Sequence, residues 1–157
     1  MAALTDGLRE ALEPPFCVVG VGNDLLGDDG FGPALAGELE RSGWPAIVAG
    51  DSPEGWMERL GGGGYRSVLF LDAVDFTGEP GAAVLLDAAA IRARFPQVST
   101  HRISLGTLAA VIESRSGARV RLLGVKPRSL APGAGLSEPV RTTLGALKTI
   151  FTEVRRP

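Results

Sequence analysis

The chain has 157 residues, 45% of them hydrophobic and 22% charged, enough to bury a substantial core and unlike a disordered chain. A formal net charge of −2 gives no electrostatic case for nucleic acid or an anionic membrane surface, and no apolar run approaches the ~20 residues that span a bilayer. The opening "MAALTDGLREALEPP" lacks the charged head and apolar stretch of a secretory segment, so the expected compartment is the cytoplasm, and the single cysteine, Cys17, excludes a disulfide framework or a thiolate cluster.

Short apolar runs alternate with longer amphipathic ones, the pattern of a three-layer α/β sandwich. Phe16–Val21 reads as the first strand and residues 31–42 as a helix, with Pro33 tolerated in its first turn. Ala46–Gly50 reads as the second strand, residues 53–60 as a short helix, and the four glycines at 61–64 as a flexible connection. "SVLFLDA", Ser67–Ala73, is the near-continuous apolar run of a central strand covered on both faces. A strand at 82–86 follows so short a turn that it should pair antiparallel. Residues 105–114 read as a helix, 120–125 as the last strand, and "KPRSLAPGAGLS" as a loop before a terminal helix that Ser137 is placed to cap. There is no repeat, and residues 1–157 read as a single α/β domain.

Ligands of open parallel sheets bind beyond the carboxyl ends of the strands. Asp29 falls beyond the first strand, Asp51 ends the second and Asp72 ends the third, so residues distant in sequence converge on one rim. The turn "GVGNDLLGDDGFG" between the first strand and its helix invites a dinucleotide reading. Gly20 and Gly22 fit that fingerprint, but Leu25 stands at its third glycine, and Asp28 and Asp29 would repel phosphate. A phospho-acceptor domain resembling response-regulator receivers is a second reading: Asp28 and Asp29, then Asp72 as acceptor, then Lys126-Pro127 come in the right order. There, however, the acidic pair sits directly at the strand end, whereas "GNDLLG" intervenes here, and His101 has no role. A third reading starts from His101, the only histidine, in "STHRISLG" just ahead of a helix. Two carboxylates and one imidazole suit a borderline divalent ion such as zinc, nickel or manganese. Three protein ligands leave positions open for water or substrate.

Three segments, "GVGNDLLGDDGFGPALAGELE", "LFLDAVDFTGEPG" and "STHRISLG", resemble in order the signature segments of the nickel–iron hydrogenase maturation endopeptidases. The likeness is closest to the branch serving hydrogenase-3-type enzymes and runs from residue 16 to 153, with "LLGVKPRSLAPGAGLSEPV" similar to the family's last strand and loop. The resemblance implies a twisted five-stranded sheet, mostly parallel with one antiparallel strand, between helices. It implies an enzyme that removes a short C-terminal peptide from the hydrogenase large-subunit precursor after nickel insertion. Carried over residue by residue, the metal-contacting and catalytic set is Asp29, Asp72 and His101. Many relatives have glutamate at the first of these; Asp29 is one methylene shorter but keeps the ligand type. The nickel would arrive on the substrate, with no permanently bound cofactor, and cleavage would use water polarised by the metal or the carboxylates. A nickel-binding chaperone with the same ligands but no cleavage remains an alternative, as does the receiver.

Other residues carry more modest expectations. Asp28 should orient the turn through backbone hydrogen bonds rather than bind metal, while Gly22 and Asn23 shape it. Asp24 reads as a solvated loop residue, Asp75 as either a group behind the ligands or a turn former, and Asp51 as either cleft lining or a helix cap. Trp44 and Trp56 fit packing or substrate contact equally. Residues 1–13 extend ahead of where the resemblance begins, and "DGLREAL" could lie on the domain as an extra helix or hang free.

Overall fold

The computed structural model describes residues 2–94 and 104–156. In chain order the elements are α1 (Ala2–Ala11), β1 (Phe16–Val21), a 3-10 turn (Gly27–Gly30), α2 (Phe31–Arg41), β2 (Ala46–Gly50), a second 3-10 turn (Pro53–Trp56), α3 (Met57–Gly62), β3 (Ser67–Ala73), β4 (Ala83–Asp87), α4 (Ala88–Arg94), α5 (Leu105–Ser116), β5 (Arg119–Val125) and α6 (Glu138–Arg155). The five strands form one sheet in the order β2-β1-β3-β5-β4. All neighbours run parallel except β4, which pairs antiparallel with β5. The fold is the three-layer α/β sandwich with one antiparallel strand that the sequence implied.

Period-two alternation along the strands divides the core into two halves. Val18 of β1, Leu69 and Leu71 of β3, and Leu123 and Val125 of β5 pack with Leu8 of α1, Phe31, Leu35 and Leu39 of α2, and Leu147 and Phe151 of α6. The intervening residues, Cys17 and Val19 of β1, Val68 and Phe70 of β3, and Val120 and Leu122 of β5, pack with Leu60 of α3, Ile91 of α4, and Leu108 and Ile112 of α5. Each fully buried large side chain contributes roughly 1.5–3 kcal/mol by leaving water. Trp44 is a packing residue, its ring 5.8 Å from Phe16 and edge-on to Phe151 at 5.3 Å. The segment ahead of β1 is not a free tail: α1 packs against α6, and Leu8, Ala11 and Leu12 are buried.

One seam brings α2 unusually close to the sheet. A Cβ on Gly20 would lie 2.4 Å from the Gly32 carbonyl oxygen, and one on Gly32 would lie 2.3 Å from the carbonyl oxygens of Leu71 and Val21. The two glycines let the start of the helix rest on the ends of β1 and β3, the role a dinucleotide fold gives to the glycine missing at Leu25.

Four local expectations need correction. The short turn before β4 does make it antiparallel, but its partner is β5, which lies between it and β3. Residues 88–94 form α4, a helix that the sequence pattern did not announce. Gly61 and Gly62 continue α3 instead of forming a flexible link, and the stretch before it is a 3-10 turn. Ser137 occupies the position before α6 but makes no side-chain cap bond there. Among the described residues no helix is long and apolar enough to cross a membrane.

Candidate metal centre

The site grows from the end of β1. Gly22 has φ of 135°, a conformation open to glycine, and a Cβ there would come within 2.0 Å of the Asp29 carbonyl oxygen. Its N–H donates to the Gly50 carbonyl at 2.9 Å, tying the turn to the end of β2. Asn23 then reverses the chain, its side-chain oxygen accepting from Leu25 N–H at 2.9 Å. The same residue's N–H donates to Oδ2 of Asp29 at 2.7 Å. Asp29 therefore sits in the 3-10 turn just before α2, with one carboxylate oxygen held by the backbone. Gly22 and Asn23 shape the turn as expected, and Asp24 is exposed.

Asp72 reaches the same rim from the penultimate position of β3, opposite Gly124 of β5. It is 5% exposed, and its Oδ1 is buried without a hydrogen-bond partner among the described residues. Burial pushes its carboxyl well above the ordinary value, and the charge of Asp29 pushes it further the same way, against a weaker lowering by the N–H of Ala73. The two carboxylates thus interact electrostatically although Asp29 and Asp72 are 43 positions apart (72 − 29). A buried carboxylate with an open oxygen beside a second carboxylate is costly unless a cation or a proton is shared between them. The donor set, all oxygen so far, fits a divalent metal. Among the described residues no three His, Cys, Asp or Glu side chains are grouped to hold one. His101, the expected third ligand, lies outside the described residues.

Asp28, next door, is treated in the opposite way. It is 0% exposed, and four donors reach its carboxylate: Oδ2 accepts from Arg128 N–H at 2.8 Å, Ser129 N–H at 3.2 Å and the Ser137 hydroxyl at 2.7 Å, while Oδ1 accepts from Ser137 N–H at 2.7 Å. Desolvation pushes this carboxyl up, and the bonds from Ser137, Arg128 and Ser129 together outweigh it, leaving it below the ordinary value. Asp28 does bind backbone N–H groups, but those of a distant loop, not of its own turn. Nothing in the local sequence announces this, because its partners lie 100 residues and more away. The Ser137 hydroxyl, expected to cap α6, is committed to Asp28.

The remaining residues resolve more simply. Asp75 pairs with Lys126, so the lysine that favoured the receiver reading faces a different carboxylate from Asp72. Receivers also have the strand order 2-1-3-4-5, whereas here β5 sits inside and an antiparallel β4 forms the edge. Asp51 is exposed, and the 3-10 turn after β2 starts from Ser52 without a side-chain cap. Trp56 is partly buried, with the Arg59 guanidinium 5.7 Å from its ring centre.

Comparison with known proteins decides between the readings. The model of the HycI hydrogenase maturation protease family matches residues 34–153. The chain belongs to this family. It is 28% identical over 134 residues to the hydrogenase 3 maturation protease of Escherichia coli (strain K12), covering 83% of each chain. The crystal structure of the nickel–iron hydrogenase maturation protease HycI from Thermococcus kodakarensis KOD1 superposes with a TM-score of 0.81 at 26% identity, covering 94% of this chain and 97% of that one. The hydrogenase maturating endopeptidase HybD from E. coli shares the fold with a TM-score of 0.74 at 24% identity, over 89% and 91% of the two chains. The family match takes in the positions of Asp72 and His101; Asp29 precedes it.

Proposed function

We propose that this maturation protease is an endopeptidase that removes a C-terminal peptide from the large-subunit precursor of a nickel–iron hydrogenase after nickel insertion, and that Asp29, Asp72 and His101 read the substrate-borne metal by completing its coordination. The observation that supports this most directly is Asp72: a buried carboxylate with an oxygen unpartnered among the described residues, its carboxyl raised by burial and by Asp29, at the carboxyl end of a central strand. In that state the rim is electrostatically unfavourable to itself. A divalent ion delivered on the precursor relieves the desolvation of Asp72 and its repulsion from Asp29 together. A precursor without nickel offers no such relief, so the same pair that welcomes the loaded substrate discriminates against the empty one. His101 supplies the nitrogen that suits nickel better than an all-oxygen set. Hydrolysis adds the elements of water across the peptide bond, hydroxyl to the carbonyl carbon and proton to the leaving amine, with the water polarised by the substrate's metal or by these carboxylates.

The test is to follow the intact mass of a large-subunit precursor, with and without nickel, in the presence of the purified protein. Loss of a C-terminal peptide from the loaded form alone is the expected result. Equal cleavage of both forms would remove the metal-reading role, and no cleavage of a precursor that another maturation protease processes would remove the activity on that substrate.

A further inference from the structure

The loop between β5 and α6 is held internally by short-range bonds, from Ala134 N–H to the Ala131 carbonyl and from Ala131 N–H to the Ser129 hydroxyl. Residues 131–135 are all exposed, and Gly133 and Gly135 take positive φ of 73° and 68°. Yet it lies flush against the acidic turn. Gly133 N–H donates to the Leu25 carbonyl at 2.9 Å, Leu26 and Pro132 form an antiparallel bridge, and Asp28 N–H donates to the Ser129 carbonyl at 2.9 Å. Gly27, with φ of 56°, makes the contact tight: a Cβ there would lie 2.6 Å from the Ser129 carbonyl oxygen. At the centre is the Asp28 carboxylate with its four donors. Three of these donors meet Oδ2 and one meets Oδ1, so both oxygens of this buried carboxylate are engaged by the loop. Its neighbour Asp29 has one oxygen held by Asn23 and follows it directly in the same 3-10 turn.

We propose that Asp28 is a positioning residue of the protease: it latches the 128–137 loop to the acidic turn and so fixes where Asp29 presents its carboxylate. This rests on the reading that Asp29 contacts the substrate-borne metal. The turn lies between two supports. On one side Gly22 N–H ties it to the end of β2, and on the other Asp28 ties it to the segment that leads into α6. Releasing the carboxylate's bonds leaves the turn joined to the loop by the backbone contacts of Leu25, Leu26 and Asp28 alone, and a misplacement of about 1 Å at a reacting centre costs on the order of 100-fold in rate.

The experiment uses the full chain and two substitutions, Asp28→Asn and Ser137→Ala, read by steady-state cleavage of nickel-loaded precursor and by amide hydrogen exchange. Asp28→Asn turns one acceptor into a donor that faces N–H groups. The expected result is faster exchange confined to residues 23–29 and 128–137, with kcat reduced on the order of 100-fold and KM within about threefold of wild type. Ser137→Ala removes one donor and leaves three, so the same pattern should appear with a smaller fall in kcat, and it carries the test if Asp28→Asn does not fold. Unchanged exchange in those two segments overturns the latch. Faster exchange there with wild-type kcat overturns its role in positioning Asp29. Asp29→Ala run alongside keeps the premise separate: wild-type cleavage by that variant would remove the role of Asp29 itself, while the exchange result would still report on the latch.

Discussion

Asp28 and Asp72 are the same residue type, both buried, at the same rim, and the fold treats them oppositely. The 3-10 turn presents Asp28 to three N–H groups and a hydroxyl, and its carboxyl is held below the ordinary value. The end of β3 leaves one oxygen of Asp72 with no partner among the described residues, and burial there sets its carboxyl well above that value. A satisfied buried carboxylate stabilises local structure, whereas an unsatisfied one costs about 1–3 kcal/mol and persists where function requires it. The contrast separates an acidic residue that builds the rim from one whose carboxylate is left open at it, a distinction that charge or burial alone would miss.

The sharpest way to break this comparison is to remove the unsatisfied member. Asp72→Ala, and likewise Asp29→Ala and His101→Ala, should drop precursor cleavage below about 1% of wild type while circular dichroism stays native. Normal processing by all three would return Asp72 to the status of a strained structural residue. The next largest effect tests the seam that brings β1, β3 and α2 together beneath the site. Gly32→Ala forces a Cβ against two backbone carbonyls 2.3 Å away, and it should cost about 1–3 kcal/mol, read as a lower denaturant midpoint.

Asp72→Asn sharpens the comparison by separating stability from activity. A carboxyl raised in the folded state binds protons more tightly there than in the unfolded chain. Wild-type stability therefore falls as pH climbs from the unfolded value, near 4, through the folded one. Asparagine does not titrate, so without nickel the variant should gain on wild type progressively as pH climbs across that window, while losing cleavage. A variant uniformly less stable than wild type at every pH would contradict the assignment.

The smallest effect is reserved for a carboxylate at the opposite end of the sheet. Glu13 is held below its ordinary value first by its hydrogen bond from Arg66, with the charges of Arg66 and Arg119 adding to it. The sign is the reverse of Asp72: its contribution is present above about pH 4.5 and is lost as pH falls through the folded value. Glu13→Gln should lower the melting temperature slightly at neutral pH and low salt, with the difference closing in 0.5 M salt, because exposed pairs are screened. Cleavage should be untouched.

The strands were legible because each is a short apolar run bounded by turn residues, and β3, buried along six consecutive residues, was legible as central. Asp29 and Asp72 followed from a rule about strand ends, and that rule reads directly off the sequence once the strands are placed. What escaped was non-local. The position of β5 between β3 and β4 is set by sheet-wide packing that a short turn does not reveal. The seven residues of α4 carry only two buried side chains, too few to show a helical period. Ser137 followed by "EPV" obeys the local capping pattern so well that nothing pointed to Asp28, 109 positions earlier, as the partner of its hydroxyl.

Glu13 bridges Arg66, just ahead of β3, to Arg119, the first residue of β5, and Arg66 N–H also reaches the Pro15 carbonyl at 2.6 Å beside the start of β1. This closure binds three strands at the end farthest from Asp29 and Asp72. It makes the molecule polar in a practical sense: one pole can be tethered, labelled or immobilised through its exposed charges while the other, with Asp29 and Asp72, is left unobstructed. A captured enzyme oriented by that pole would present its rim outward, the arrangement a surface-based assay of precursor binding needs.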